Sequence, residues 1–148
     1  MSDEVKISNL LYTYCELMDA GRFEDVARLF EHAKIKAGNS GGEPIITDWR
    51  GVLETWNRMV QTYPDGTPRT KHLVLNPIIE VDASGKSAET RSYYLVLQAT
   101  EGFPLQPVAA GRYHDRFEKV DGKWRWAYRD YSMFDMQGDL SRHLIGYA

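Results

Sequence analysis

The sequence predicts an α+β fold in which a strongly curved, mixed or antiparallel sheet wraps like a cone around three N-terminal helices and leaves an internal pocket. Three observations predict it. Apolar residues recur at three- and four-residue spacing in segments up to Tyr63. From Lys71 onward the chain is dominated by long runs of β-branched and aromatic residues. Compact turn signals separate these runs, as antiparallel pairing requires.

The elements follow in order. Ile7, Leu10, Leu11, Tyr14, Leu17 and Met18 make one apolar stripe, the mark of a first helix. Asp19-Ala20-Gly21 ends it, with Gly21 free to take the left-handed turn. A shorter helix runs from about Arg22 to Glu31 and carries Phe23, Val26, Ala27 and Phe30 inward. His32 to Ala37 reads as a short strand, Asn39-Ser40-Gly41-Gly42 as a turn, and Pro44 to Thr47 as the strand's partner. A third helix spans Arg50 to Tyr63, with Val52, Leu53, Trp56, Met59, Val60 and Tyr63 on one side, and Pro64-Asp65-Gly66-Thr67-Pro68 stops it.

Four long strands follow: Lys71–Val81, Lys86–Thr100, Val108–Val120 and Lys123–Met133. Ala83-Ser84-Gly85 joins the first pair. Phe103-Pro104 and Gln106-Pro107 make the next connection a longer loop. Asp121-Gly122 is a two-residue hairpin signal of the primed type. In the tail from Asp135, Leu140, Leu144, Ile145 and Tyr147 are spaced like a short closing helix.

The 148 residues are one domain's worth of chain, so a single domain over 1–148 is expected. A hydrophobic share of 43% against 26% charged residues is that of a chain that folds. The net charge of -3 and the scattered basic residues give no reason to expect nucleic acid. No apolar run approaches the roughly 18 residues of a membrane span. The acidic start Met1-Ser2-Asp3-Glu4 is unlike a secretory leader, and the lone Cys15 excludes an internal disulfide and reads as a buried small hydrophobe. A cytoplasmic protein is the expectation.

Four residues stand out as chemistry. His72 opens a strand, with Val74, Asn76 and Ile78 on the same face by alternation. A neutral imidazole is the usual general base near neutral pH, although a histidine satisfied at a strand edge fits the pattern too. Asp19 would fix its tautomer, or simply end the helix. Tyr14 lies within the apolar stripe, as a core aromatic or as a phenol that donates to a developing charge in a dry cavity. Arg129 would hold a leaving group or an anionic substrate. It shares strand parity with Arg125, which also fits a solvated position, while Trp124, Trp126 and Tyr128 take the other face. Asn76, Trp56, Tyr93 and Tyr113 are candidate pocket lining. His114 alternates with Arg112 and Arg116 and so belongs outside, and His143 in the tail caps or closes the cavity.

Other chemistries are excluded by pattern. There is no Gly-rich phosphate loop, dinucleotide fingerprint or G-x-S-x-G elbow, and the histidines lack zinc spacing. Neither a cofactor nor a metal is expected.

Four stretches carry a family resemblance: YCELMDAGRFEDVARLF (Tyr14 to Phe30), TKHLVLNPIIEV (Thr70 to Val81), GRYHDRFEKVDGKWRWAYR (Gly111 to Arg129) and GDLSRHL (Gly138 to Leu144). With the element order, they resemble the SnoaL-like branch of the NTF2-like superfamily, the group of scytalone dehydratase, hexachlorocyclohexane dehydrochlorinase and bile-acid 7α-dehydratase. The resemblance implies that His72 removes the proton that starts an elimination and that Asp19 pairs with it. It places Tyr14 where the bile-acid enzyme has Tyr and the dehydrochlorinase has Lys, and Arg129 on an Arg of both. It also implies a homo-oligomer, with a trimer favoured over a dimer. The second histidine of scytalone dehydratase has no counterpart on Lys86–Thr100.

The function expected is a cofactor-independent lyase of dehydratase type, or an isomerase, acting on a small cyclic or aromatic molecule through a His–Asp pair. Two alternatives remain: a non-catalytic subunit such as a ring-hydroxylating dioxygenase β-like module, and a polyketide cyclase-like enzyme with an acidic base. Fold alone does not choose among them.

Overall fold

A computed structural model describes residues 1–38 and 42–147. Helix α1 covers Asp3–Asp19. Ser2 caps it by accepting from the Val5 N–H at 3.2 Å, and Asp3 and Glu4 place negative charge at the positive end of the helix dipole. Ile7, Leu11, Tyr14, Cys15 and Met18 are its buried face. Gly21 follows at φ +75, and a side chain there would run into the Gly66 carbonyl oxygen, so this turn requires glycine. Helix α2 is Phe23–Arg28, and α3 is Trp49–Met59, capped by Asp48 through the Gly51 N–H. Helix α3 ends four residues before the expected Tyr63 because Val60 turns extended and pairs with Leu144.

The strands are β1 Lys34–Ala37, β2 Ile45–Thr47, β3 Thr70–Val81, β4 Ser87–Thr100, β5 Phe103–Val120, β6 Lys123–Asp130 and β7 Met136–Gln137. They form one sheet in the order β2-β1-β6-β5-β4-β3, with β7 added against β5. Among the described residues only the β1–β6 pair is parallel, so the sheet is mixed. Its concave face packs on α1, while α2 and α3 contact each other, and the core runs between the layers. Most of the Asn39 to Gly42 turn signal lies outside the described residues. The primed turn forms at Asp121 (φ 52) and Gly122 (φ 77). Among the described residues no helix is long and apolar enough to cross a membrane.

Several local expectations are corrected. The proline-rich loop after β4 is not a loop: β5 begins at Phe103, directly after Glu101-Gly102. The prolines are tolerated because the β4–β5 register slips twice here, between Val96 and Leu97 and between Gln98 and Thr100. The tail is no helix either. Met136-Gln137 pairs with β5, and turns carry the chain on to Leu144, which pairs with Val60 in place of a helical repeat.

Two bulges reverse the expected faces. In β3, Leu75 pairs Tyr93 but Ile78 pairs Arg91, so Asn76-Pro77 oppose one residue, with Asn76 at φ 42. Beyond the bulge Asn76 and Ile78 are exposed, and Ile79 and Val81 pack on the core. In β6, Arg116 pairs Tyr128 and Phe117 pairs Trp126, leaving Ala127 as the extra residue. Arg129 therefore joins Trp124 and Trp126 inside. Tyr128 instead meets the Arg116 guanidinium at 4.5 Å, together with the outward-facing His114 and Arg116.

Candidate active site

The last residue of α1 and the first turn of β3 meet at Asp19. Its Oδ2 accepts from the His72 backbone N–H at 2.8 Å, and its Oδ1 from the Thr70 hydroxyl at 2.8 Å and His72 Nδ1 at 2.6 Å. A carboxylate only accepts, so Nδ1 carries a proton; in the neutral ring Nε2 then keeps the lone pair a general base needs. The side chains are 8% (His72) and 10% (Asp19) exposed, so the pair is nearly dry. Thr70 lies two residues before His72 on the same strand face. That spacing is readable in the sequence, although Thr70 was not among the expected site residues.

Around His72 stand two further rings. Tyr14 meets it edge-on with centroids 6.4 Å apart, and His143 lies 6.1 Å away from the tail. Burial, and then the nearby His72, push the His143 imidazole from the ordinary 6.5 down to about 4. Tyr14 Oη accepts from the Tyr131 hydroxyl at 2.9 Å. Burial holds the Tyr14, Tyr113 and Tyr131 phenols well above their ordinary range, so they stay protonated donors.

Behind these phenols lies a second buried pair. Arg129 binds Asp115 through two hydrogen bonds of 2.7 and 3.0 Å, and both side chains are 0% exposed. Trp126 Nε1 donates to Asp115 at 3.1 Å, and the guanidinium sits 3.8 Å over the Tyr113 ring and 4.6 Å over that of Tyr14. Burial works against this charge, but Asp115 outweighs it and holds the guanidinium protonated. Gly111 makes room for the Tyr94–Tyr113 stack, since a Cβ there would lie 2.6 Å from the Tyr94 ring.

Residues 1–130 match the SnoaL-like domain. The chain is a member of the SnoaL-like family. Its fold is the NTF2-like, or cystatin-like, cone. This SnoaL-like protein is similar to Rv3472 of Mycobacterium tuberculosis, a protein of unknown function solved as an Asp-to-Asn variant. Identity is 27%, coverage 94% of this chain and 76% of that one, and the TM-score 0.68. A candidate scytalone dehydratase from Novosphingobium aromaticivorans DSM 12444 is similar at 22% identity, covering 99% and 95%, with TM-score 0.64. The β subunit of a candidate aromatic-ring-hydroxylating dioxygenase from the same organism is similar at 18% identity, covering 90% of each chain, with TM-score 0.68. At such identities the last two speak for the fold alone. No curated protein matches the chain.

A cavity of about 460 Å³ opens between α3, the residues after β6 and the tail of the SnoaL-like protein. Trp56, Tyr131, Phe134, Leu140, Leu144 and Tyr147 are among its apolar walls. Its floor connects to the site through Tyr131, which hydrogen-bonds Tyr14. The tail segment at 140–147 touches both places, with Leu140 and Leu144 on the cavity and His143 against His72.

Of the expected site residues, the fold gathers Asp19, His72, Tyr14, Tyr113 and Arg129 into one buried cluster, and Trp56 into the cavity wall. It does not gather Asn76 and Tyr93. Both line a shallow outer groove with Arg91, Arg112 and His114, because the β3 bulge turns Asn76 out and Tyr93 alternates with the buried Tyr94. Arg129 is also corrected: fully buried and bidentate to Asp115, its guanidinium has no open face for a leaving group. Asp115 and Tyr131 were missed, although each lies two residues from a named one, Tyr113 and Arg129 respectively. Among the described residues no three His, Cys, Asp or Glu side chains converge as metal ligands do.

Proposed function

We propose that this SnoaL-like protein is a cofactor-independent lyase of dehydratase type, or an isomerase, for a small cyclic molecule, with His72 as general base and Asp19 as its orienting partner. The observation that carries this reading is the 2.6 Å contact of His72 Nδ1 with an Asp19 carboxylate that two further donors hold in place. Such a pair suits proton abstraction, since the one hydroxyl bonded to it, that of Thr70, donates to Asp19 and not to the His72 ring. Tyr14, protonated and accepting from Tyr131, supplies a hydrogen bond to charge that grows on the substrate, with Arg129 behind it. The apolar cavity suits a ring compound. His72 is not among its lining residues; Tyr131 and the tail segment belong both to the cavity wall and to the surroundings of His72, so substrate has to displace that segment to reach the base.

The test is turnover of β-hydroxy ring ketones by His72→Ala and Asp19→Asn. Both should lose most activity while keeping the wild-type circular dichroism. A folded His72→Ala protein with full activity overturns the reading and returns the acidic-base alternative.

A second reading, a non-catalytic subunit, is favoured by one observation. The outer sheet face exposes Leu73 (37%), Leu75 (38%), Ile78 (46%) and Tyr93 (56%), more apolar surface than solvent alone explains. Under the enzyme reading the same face is where copies of this chain meet, with a trimer favoured over a dimer. Sedimentation of the purified protein distinguishes a self-assembled oligomer from a monomer awaiting a different partner.

A further inference from the structure

Two side-chain atoms near the His72–Asp19 pair are buried without a hydrogen-bond partner among the described residues: His143 Nδ1 and Gln98 Oε1. The residues are 8% and 1% exposed. The two residues come from distant parts of the chain, and a bond from Gln98 to Arg142, the neighbour of His143, brings them into one neighbourhood. Gln98 lies opposite Thr70 across the β3–β4 ladder, and His72 follows two residues on, opposite Val96, on the same buried face. Gln98 Nε2 donates to the carbonyls of Pro68 (3.1 Å) and Arg142 (2.9 Å), which occupies the amide's donor end and leaves its oxygen free.

Arg142 directly precedes His143. The tail is pinned again where Gln61 N–H donates to the His143 carbonyl (2.9 Å), Gln61 Nε2 to Ser141 (2.7 Å) and the Tyr63 hydroxyl to Arg142. His143 is thus held in place beside His72, yet its Nδ1 has no partner among the described residues.

Buried polar atoms are almost always satisfied, so a pair of orphans beside a candidate base calls for a ligand group. Its chemistry follows from what each atom offers. An amide oxygen only accepts; a neutral imidazole donates through one nitrogen. His143 stays neutral because burial and the neighbouring His72 disfavour its charged form. With the His143 proton on Nδ1, a group that satisfies both must donate one hydrogen and accept one. A hydroxyl does this, and a ketone oxygen does not.

We propose that His143 and Gln98 form a hydroxyl subsite, which holds the departing hydroxyl of a β-hydroxy carbonyl substrate while His72 deprotonates the adjacent carbon. The inference rests on the reading of His72 as base. Nε2 of His72 takes the C–H proton, and that electron pair becomes the new C=C bond. The C–O bond breaks with its pair on oxygen. The imidazolium returns its proton there, water leaves, and no oxidant or net proton is consumed. The His143 N–H steadies the oxygen as charge grows, and Gln98 Oε1 orients its hydrogen.

The experiment uses two reactions of one enzyme: water elimination from β-hydroxycyclohexanone, and exchange of the α-hydrogens of cyclohexanone with deuterated water. The second needs the base and no leaving hydroxyl. Gln98→Leu and His143→Phe should lower elimination relative to exchange on the order of 10²-fold. His143→Gln, which keeps an N–H, should recover much of that ratio. An unchanged ratio in both variants overturns the subsite.

An NMR measurement on the wild-type protein needs no variant. Cyclohexanol should move the His143 imidazole nitrogen resonances where cyclohexanone does not, and absence of that difference overturns the subsite. Wild-type protein that exchanges no α-hydrogen overturns the base instead, and the cyclohexanol response then decides the subsite separately.

Discussion

Two carboxylates lie paired with basic side chains inside this molecule, and the two pairs are built differently. Arg129 and Asp115 are sealed, with 0% exposure on both sides, and aromatic rings cover the guanidinium. His72 and Asp19 keep slight exposure, and one imidazole nitrogen remains uncommitted. An arginine cannot give up its proton under any ordinary condition, whereas a histidine changes state near neutral pH. The first pair is therefore suited to fixing charge and geometry, and the second to moving a proton. A sealed ion pair contributes less net stability than its contacts suggest, because desolvation offsets the attraction, but removing one partner strands a charge.

Substitutions sharpen that contrast. The largest effect is expected at the open pair: His72→Ala should reduce turnover of a β-hydroxy ketone by roughly 10²–10⁴-fold with the fold retained, as initial rates and circular dichroism will check. At the sealed pair the loss should appear in stability instead. Arg129→Met should cost about 3–5 kcal/mol in urea unfolding because Asp115 is left buried and unpaired, and adding Asp115→Leu should restore much of it. Equal effects of both substitutions on stability would erase the distinction.

His143 gives a pH signature of intermediate size. Its folded value of about 4 lies below the ordinary 6.5, so the unfolded chain binds more protons between them. Its contribution is then complete above about pH 6.5 and is lost as pH falls toward 4, by about 3 kcal/mol at most. The difference in urea midpoint between wild type and His143→Leu should shrink across that window. The smallest effect belongs to Tyr131→Phe, which removes a hydrogen bond to Tyr14 and should cost about 1 kcal/mol in the same assay. A much larger loss would mean that Tyr131 is part of the sealed cage and not only its link to the cavity.

Much of the site was legible before the fold was known. Asp19 ends a stripe of apolar residues and His72 opens a strand; a helix end and a strand start are places where two elements readily meet. Tyr113 lies on the buried face by simple alternation. Arg129 was harder, because alternation from Trp124 and Trp126 puts it outside. The Ala127 bulge inserts one residue and reverses that parity, and no residue type announces it. Asn76 failed for the same reason in the opposite direction, although the Asn76-Pro77 dipeptide is unfavourable in a regular ladder and could have warned of it. The tail misled because spacing like that of Leu140 and Leu144 suits one helical turn as well as a strap.

The sequence alone therefore determined the layers of this SnoaL-like protein and the reactive groups it holds. Periodicity is a local property, and the apolar stripe of α1 and the long β-branched runs needed no partner to be read. It also determined that a histidine and a carboxylate were available, with no serine elbow or phosphate loop to compete. Tertiary structure alone decided which groups face one another. Register slips in β3 and β6 moved Asn76 out and Arg129 in. Bonds from Gln61, Tyr63 and Gln98 laid the tail across α3 and β4, so that His143 came to rest beside His72. The physical reason is that one added residue in a strand costs little locally yet turns every later side chain to the other face. Only the packing of the whole sheet decides whether that turn is taken.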